Sequence, residues 1–453
     1  MASEQSKLVT SNSTWLKFLA GSSVGALSFL YPVSDDGVVT IPIALASNNL
    51  TNYLGDLLPP IVIAIVTISA VLSSWFSLRK ADSLSPPGDM RQIFTVSRGW
   101  LMLRILGCLT ALMIFFQIGP EFVWSAATGH IVLYRLATAI VTIFIFASAI
   151  LPLLTDYGLM ELVGTLLSRV FQQAFRLPGR SCIDALASWM AAAPVGVLIT
   201  SQQFEKGNYS GREAAVIATN FSVVSLPFCV IVAQFVGLSH LFVEYYLTVV
   251  VAGLIAALIT PRIPPLSRIP DFYSEVGKQL NEDVLTEGGL WKAGLTKALD
   301  KAQHAPGLKQ WSKSAIHNLF DIWFGLMPPL VGIGTLGLVI AEYTPLFTWL
   351  SYPLIPLLEI MRLPEAAAAA PALLVGFAEM FLPAVLASNI ESDLTKFVVI
   401  TVSISQLIYM SEVGVLIMKT RIPLNFGRLV QIFLIRTAIT LPVAIVAAHW
   451  FVF

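Results

Sequence analysis

The sequence predicts an all-α polytopic membrane protein with about nine transmembrane helices and two re-entrant hairpins, arranged as an inverted repeat. Composition, the lengths of the apolar runs and a repeated order of segments lead to this fold class. Of the 453 residues, 56% are hydrophobic and 12% are charged, and the mean hydropathy is +0.78. Soluble domains average about 25% charged residues. Lipid is therefore the expected solvent for most of this chain.

Nine apolar stretches are long enough to cross a bilayer, because a helix of roughly 20 residues spans the hydrocarbon core. They run from Trp15 to Val33, Leu57 to Leu78, Trp100 to Ile118, Val132 to Leu154, Ala214 to Val236, Leu241 to Ile259, Leu319 to Ile340, Thr395 to Met418 and Leu429 to Phe451. The lipid bilayer is thus the first expected partner.

The distribution of Lys and Arg predicts the orientation. Eight of these residues lie in the polar stretch between Pro261 and Ser314, whereas the loops Gly119 to His130 and Gly237 to His240 contain none. Positive loops face the cytoplasm. We therefore expect a cytoplasmic N-terminus and a C-terminus on the opposite side.

Two regions of the chain match each other at one offset. Asp156-Tyr157 and Glu342-Tyr343 are 186 residues apart, and so are Arg176-Leu177-Pro178 and Arg362-Leu363-Pro364. A constant offset combined with the same order of segments indicates an internal duplication.

Each of these regions contains a pair of shorter apolar segments that do not have the pattern of two ordinary transmembrane helices. The first member, Met160 to Phe175 or Leu346 to Met361, is expected along the membrane interface, and the second, Ser181 to Gln203 or Ala366 to Asn389, as a re-entrant hairpin. Three crossings then separate the two units, and this odd number inverts one against the other. The predicted domains are residues 1–131, a three-helix membrane region; 132–260, the first repeat; 261–315, a cytoplasmic linker; and 316–453, the second repeat.

The hairpins are the first place to expect a substrate site, because irregular backbone at membrane depth is tolerated only inside protein or beside a wet cavity. Asp184 and Ser188 lie one helical turn apart in hairpin one, where Asp184 could equally be a helix cap. Glu379 lies near the predicted tip of hairpin two.

Ionisable residues within predicted spans form a second group of candidates, because they usually face a partner or water. Glu412 is either a substrate or coupling-ion ligand or a carboxylate that pairs with Lys419 or Arg421. Arg436 is expected to be a buried counter-ion for Glu412 or Glu379, or a ligand for a substrate carboxylate. The alternative is that its long side chain extends to the inner membrane surface.

Neutral polar side chains occur at related places in the two repeats. Asn220 lies in span five and Gln406 in span eight. They are either substrate ligands or ordinary interhelical hydrogen-bonding groups.

Several functions are not expected. Net charge is zero, which leaves no basic face for nucleic acid. Cys108, Cys182 and Cys229 lie in apolar runs without zinc-ligand spacing, so no metal site is predicted. The histidines form no HExxH motif, and no Gly-x-Ser-Gly sequence occurs. We therefore expect that the protein is not an enzyme and has no catalytic residues. We also expect no cofactor beyond a coupling Na+ or H+.

Three stretches carry a family resemblance: Thr14 to Ile43, Thr200 to Phe228 and Gly376 to Met418. The chain resembles the nucleoside-transporter-like gate, or nucleoside-recognition, domain, and within it the bacterial YjiH inner-membrane proteins. The resemblance implies a core similar to that of concentrative nucleoside transporters and a location in the bacterial inner membrane. By place it implicates Asp184, Asn220, Glu379, Gln406 and Glu412.

These observations together predict a secondary transporter of a small polar organic solute, nucleoside-like or amino-acid- or peptide-like, coupled to Na+ or H+. The alternative is a membrane scaffold or assembly protein that has a transporter-like fold and moves no solute. We leave a homo-oligomeric assembly open.

Overall fold

Helices make up nearly all of the described chain. The computed structural model of the protein describes residues 12–31, 33–35, 38–78, 91–190, 193–278 and 289–453. A helix satisfies its backbone hydrogen bonds internally, which is the condition for leaving water.

Seven helical runs in this described part are long and apolar enough to cross a membrane. They are Pro42–Ser77, Arg98–Phe116, Glu121–Thr155, Ser239–Arg268, Leu308–Tyr343, Asp393–Lys419 and Phe426–Val452. Each corresponds to one of the nine predicted spans. The protein is therefore a multi-pass membrane protein.

The N-terminal region contains the one departure from an all-helical fold among the described residues. After the first helix, the strands Val33–Asp35 and Val38–Thr40 pair antiparallel, with Val33 opposite Thr40. The first span was predicted to continue to Val33, but its helix ends at Leu30. The helices of this region are Asn12–Leu30, Pro42–Leu54, Gly55–Leu57, Leu58–Leu78, Arg91–Phe94, Arg98–Phe116, Glu121–Trp124 and Gly129–Ile131.

The first repeat region contains a long helix, an interfacial-type segment, a helical hairpin, a helix in two halves and a closing helix. Its elements are Val132–Ala137, Thr138–Thr155, Leu159–Val170, Phe171–Phe175, Ser181–Met190, Ala193–Glu205, Gly211–Asn220, Leu226–Phe235, Ser239–Leu241 and Phe242–Ile259. Ser181–Met190 and Ala193–Glu205 pack against each other and form hairpin one.

The linker region packs against the membrane helices. Helix Gly289–Gln303 contacts both Leu159–Val170 and Asn12–Leu30, and the Ala298 carbonyl lies so close to Gly158 that a Cβ there would be 2.3 Å from it. The helical elements are Thr260–Arg262, Leu266–Arg268, Gly289–Gln303 and Leu308–Phe320. The last of them continues through to Tyr343, so the predicted domain boundary at residue 316 lies inside a continuous helix.

The second repeat region follows the same order. Its elements are Asp321–Leu326, Met327–Tyr343, Leu346–Ser351, Tyr352–Leu354, Ile355–Ile360, Ala366–Val375, Leu382–Ala387, Asp393–Gln406, Met410–Gly414, Val415–Lys419, Phe426–Ala447 and Ala448–Val452. Ala366–Val375 and Leu382–Ala387 pack together and form hairpin two.

Backbone conformation supports the duplication. Arg176 and Arg362, 186 residues apart, both have left-handed backbone, with φ of 56° and 57°. Residues other than glycine rarely adopt this backbone conformation. Two arginines in this conformation at the repeat offset indicate that both segments turn in the same way before their hairpins.

Protein rather than lipid surrounds the middle of the second repeat. In the most apolar part of Asp393–Lys419, 89% of the residues are buried, compared with 28% for Arg98–Phe116. Asp393–Lys419 is therefore the central helix of the bundle, and polar groups on it face other protein groups.

Candidate functional site

Two helices are broken at equivalent positions. The first broken helix consists of Gly211–Asn220 and Leu226–Phe235, and the second consists of Asp393–Gln406 followed by Met410–Gly414 and Val415–Lys419. Asn220 and Gln406, the last residues of the two leading halves, are 186 residues apart. The breaks therefore belong to the duplicated unit.

The sequence explains each break locally. Residues 222 to 225 include two serines, and Pro227 follows at the start of the next half; serine favours caps and turns over helix interiors, and proline lacks the backbone N–H that would continue the helix. In the second helix, Leu407 turns the chain with a left-handed φ of 61°. The predicted span from Thr395 to Met418 is thus confirmed as an apolar helical run, but neither it nor the predicted span from Ala214 to Val236 is one uninterrupted helix.

Arg436 connects the two breaks. Its Nε donates to the carbonyl oxygens of Ser405 (3.1 Å) and Gln406 (3.0 Å), and its Nη2 donates to Ser405 O at 2.6 Å. Its Nη1 donates to Asn220 Oδ1 at 2.6 Å. The side chain is 0% exposed. A guanidinium group therefore caps the carbonyl end of the second leading half and binds the amide at the end of the first.

Asn220 is fixed by several bonds. Its Oδ1 also accepts from the Thr260 hydroxyl at 2.5 Å, and its Nδ2 donates to Val216 O and Thr219 Oγ1, both at 3.1 Å. Because Arg436 and Thr260 can both donate, the amide oxygen must face them. The end of the first leading half is thus held to the end of helix Phe242–Ile259.

Gln406 connects the second break to hairpin two. Its Nε2 donates to Leu373 O at 2.8 Å and to Thr437 Oγ1 at 2.9 Å. A Cβ on Gly376 would lie 2.3 Å from Gln406 Oε1, so glycine is what permits this approach. Gln406 Oε1 itself is buried and has no hydrogen-bond partner among the described residues.

The tip of hairpin two lies against the second break. Phe377 and Ala378 accept, through their carbonyl oxygens, hydrogen bonds from the backbone N–H groups of Met410 (2.8 Å) and Ser411 (3.0 Å). The hydroxyl of Ser403 donates to Met380 O at 2.7 Å. The tip is therefore attached by main-chain bonds to the helix on which Glu412 lies.

Glu379 lies at this tip, as predicted. Its Oε2 accepts from the backbone N–H groups of Phe381 (2.7 Å) and Leu382 (3.2 Å), which begin the short second helix of the hairpin. Its Oε1 is buried without a hydrogen-bond partner in the described part of the chain. One oxygen thus caps a helix, and the other remains available.

Glu412, like Glu379, lies buried inside the protein. Neither carboxylate forms an ion pair with any described residue. Lys419, an expected partner, instead places its ammonium 5.0 Å from the Trp100 ring. The predicted pairing of Arg436 with either acid is not found, because its contacts are carbonyl and amide oxygens.

Hairpin one contributes Ser188, whose buried Oγ has no hydrogen-bond partner within the described ranges. A Cβ on Gly196 would lie 2.5 Å from that Oγ, so the two helices of the hairpin are in close contact there. Asp184 lies on helix Ser181–Met190, but its side chain and the tip residues 191–192 are outside the described part of the structure. The role of Asp184 stays a prediction.

Each hairpin packs against the broken helix of the other repeat. Ala193–Glu205 contacts Met410–Gly414 and Val415–Lys419, and Leu382–Ala387 contacts Leu226–Phe235. Between the latter two, the Phe381 ring packs edge-on against Phe228 at 6.0 Å and Phe235 at 4.8 Å. The two repeats therefore interlock around the breaks.

Sequence reasoning missed three supporting residues: Thr260, Thr437 and Tyr409. The Tyr409 hydroxyl donates to the free carbonyls of Ser403 (2.9 Å) or Ile404 (3.1 Å) near the break. Their sequence signal is weak, since threonine and tyrosine are ordinary in apolar helices. Only the location of the breaks gives these residues their role.

Comparison with known proteins adds three findings. Residues 137–239, which include hairpin one and the first broken helix, match the family model described as Gate, nucleoside recognition. An uncharacterized protein of Alkalihalophilus pseudofirmus is 48% identical over 439 residues, covering 97% of this chain and 95% of that protein. The solved structure entitled "Structure of CNTnw in an inward-facing substrate-bound state" aligns with 97% of this chain and 98% of that chain, at 14% identity and a TM-score of 0.42.

The Gate match confirms the expected domain, whereas the narrower YjiH resemblance stays a prediction. The identity to the bacterial relative extends over nearly the full length of both chains. This chain belongs to the same family as the Alkalihalophilus pseudofirmus protein and contains a Gate, or nucleoside-recognition, domain.

Proposed function

We propose that this protein is a secondary transporter that moves a small polar organic solute across the bacterial inner membrane, coupled to Na+ or H+. Its N-terminus would be cytoplasmic and its C-terminus periplasmic. The substrate site would use Asn220, Gln406 and Arg436 at the breaks, with Glu379 and Glu412 beside them and with Asp184 and Ser188 from hairpin one.

The observation that carries this proposal is the pair of broken helices meeting inside the protein. Free backbone groups in hydrocarbon cost several kcal/mol each, so broken helices are found where protein or a wet cavity covers them. In secondary transporters, such half-helix ends bind substrates and coupling ions near the bilayer midplane. The Gate match over the first break is consistent with this use.

The interlocked hairpins support a moving mechanism. Each hairpin contacts the broken helix of the other repeat, so displacement of one hairpin changes the surroundings of both breaks. Rigid-body movement of one repeat against the other is the usual route to alternating access in inverted-repeat transporters.

Glu379 and Glu412 are the groups that we assign to coupling. Both are buried carboxylates without an ion pair to any described cation, and both lie where hairpin two meets the second break. A buried carboxylate without an ion pair is stable only if it takes up a proton or binds a cation. Binding and release of that H+ or Na+ would then be tied to the position of hairpin two.

Uptake into proteoliposomes tests the proposal. Radiolabelled nucleosides, amino acids, short peptides and small carboxylates would be offered under an imposed Na+ or proton gradient. We expect at least one class to accumulate, and we expect Glu379→Gln or Glu412→Gln to lower its gradient-driven rate at least about tenfold, by removing a charge used in coupling. Glu359→Gln, at an exposed position, is the matched control and should leave the rate unchanged.

Equal gradient-driven rates in the wild type and both acid variants would overturn the assignment of coupling. If folded protein moved none of the offered solutes and co-purified with one fixed partner protein, the scaffold alternative would replace transport.

A further inference from the structure

A cavity of about 150 Å³ opens beside the first break. Its walls come from hairpin one, from helix Phe242–Ile259 and from the residues around both breaks. The walls include the rings of Phe171, Trp189, Phe221 and Tyr246. Trp189 Nε1 donates to the Tyr246 hydroxyl, so the polar atoms of these two rings bind each other and the ring faces are left as apolar wall.

The polar lining of this cavity is concentrated at one end. Asn220, Ser405 and Arg436 are there, and nearly all the remaining lining is apolar or aromatic. A cavity with a large apolar body and a few convergent polar groups is the usual form of a small-molecule site.

Arg436 brings a full positive charge to this end without a matching carboxylate. Within the described chain it forms no ion pair, and its partners are carbonyl and amide oxygens. These dipoles solvate the guanidinium group but do not neutralise it. A buried charge is normally matched by an opposite charge.

The guanidinium group also has donors to spare. Arginine carries five N–H groups, and the contacts made by Arg436 use one on each of its three nitrogens. One N–H on Nη1 and one on Nη2 therefore have no acceptor in the described part of the protein. A carboxylate accepts such N–H groups with good geometry.

We infer that this cavity binds a small monocarboxylate, with its apolar body between the aromatic walls and its carboxylate on Arg436. This inference rests on the proposed function and narrows its substrate to one chemical class. A cavity of about 150 Å³ holds a benzene-sized group, so the apolar body is the size of one six-membered ring or a branched chain of similar volume.

Such a ligand could come from water, as an aromatic or branched carboxylate, or from the bilayer, as a fatty acid. The cavity volume favours the water-soluble ligand, because a long acyl chain would extend beyond it. Benzoate and decanoate represent the two sources in the experiment.

The experiment measures equilibrium binding to the purified full-length protein by isothermal titration calorimetry. Sodium benzoate is the probe, and benzamide is its neutral isostere. We expect benzoate to bind and benzamide to bind at least about tenfold more weakly, because only the anion matches Arg436. Arg436→Gln should weaken benzoate at least about tenfold.

A second variant protects the test against misfolding of Arg436→Gln. Gly253 lines the cavity, and a Cβ placed on it meets nothing within 4 Å. Gly253→Leu therefore fills the cavity without touching the hydrogen bonds of the break, and should abolish benzoate binding, with Gly253→Ala intermediate. Val251→Leu, exposed on the same helix and outside this cavity lining, is the matched control and should bind as the wild type does.

The contrary outcomes are separate from those of the transport test. Equal binding of benzoate and benzamide, or binding unaffected by Gly253→Leu, would overturn the carboxylate site. Decanoate binding without benzoate binding would assign the cavity to membrane lipid instead. Uptake of a neutral solute without benzoate binding would support the transport proposal and overturn the carboxylate site. Benzoate binding without uptake of any solute would support the carboxylate site and overturn the transport proposal.

Discussion

Arg436 is the residue that connects the two breaks. Its four contacts reach the carbonyl end of one leading half-helix and the amide at the end of the other. The carbonyl end of a helix carries partial negative charge, so a cation there both caps the helix and balances that charge. Among the described residues, no other side chain forms hydrogen bonds to both ends.

Removing this guanidinium group should destabilise the protein. Arg436→Gln leaves buried oxygens of Ser405 and Asn220 with fewer partners, and buried groups that lose a charged partner cost about 3 kcal/mol or more. We expect a lower apparent melting temperature in detergent, with Arg436→Lys intermediate because an ammonium cannot form the same fork. Arg98→Gln, at an exposed position, is the control. Equal melting temperatures for all variants would contradict the capping role.

At this scale the sequence identified most of the important side chains but not their partners. Buried Arg436, Asn220, Gln406, Glu379 and Glu412 stand out, because charged and amide groups in apolar runs are rare. Arg436 was paired with carboxylates because an ion pair is the partner that a list of residues suggests. Its true partners are main-chain carbonyls, which become available only where a helix breaks.

Among the elements, close helix contacts through glycine determine how the bundle is assembled. Helix Arg98–Phe116 crosses Met327–Tyr343 at Gly107, where a Cβ would lie 1.8 Å from Pro328 O. Small residues at a crossing allow membrane helices to approach closely. This contact attaches the N-terminal region to the second repeat.

Gly107→Ala should therefore weaken the protein even though alanine is the better helix former. The backbone of Pro328 cannot move aside as a side chain could, and overpacking of this kind costs about 1–3 kcal/mol. Gly99→Ala on the same helix is the control, since a Cβ there meets nothing within 4 Å, and alanine should be neutral or slightly stabilising. Thermal unfolding of both variants in detergent is the measurement. Equal stability of the Gly107→Ala and Gly99→Ala variants would contradict the close helix contact at Gly107.

Most elements could be predicted, and the exceptions share a physical cause. Seven of the nine predicted spans correspond to long apolar helices, because hydrocarbon thickness fixes the length of a crossing. The breaks after Asn220 and Gln406 were missed because their residues are apolar enough to continue the hydropathy signal. A left-handed Leu407 has no sequence signature of its own, since leucine is a strong helix former.

In the whole molecule, the offset of 186 residues relates two units, and the odd number of predicted crossings between them predicts opposite orientations. Glu205 and Glu391 are related by this offset, and both are exposed at the ends of their hairpin regions. If the repeat is inverted, these two residues face opposite sides of the membrane. Parallel repeats would place them on the same side.

Cysteine labelling distinguishes these arrangements. The three native cysteines are buried, so background labelling should be low. In intact cells treated with a membrane-impermeant maleimide, we expect Glu391→Cys to react from the periplasm and Glu205→Cys to react only after the membrane is opened. Labelling of both from the same side would reject the inversion.

The contact between Asn220 and Arg436 joins residues 216 positions apart, and Arg436 lies in the last long helix of the chain. During synthesis, hairpin one and both leading half-helices emerge before this arginine exists. Until the C-terminal helix inserts, the carbonyl groups of Ser405 and Gln406 lack the hydrogen bonds that Arg436 donates to them. The proposed solute site is therefore completed last, and a chain that stops short of residue 426 would lack the Arg436 cation between its two breaks.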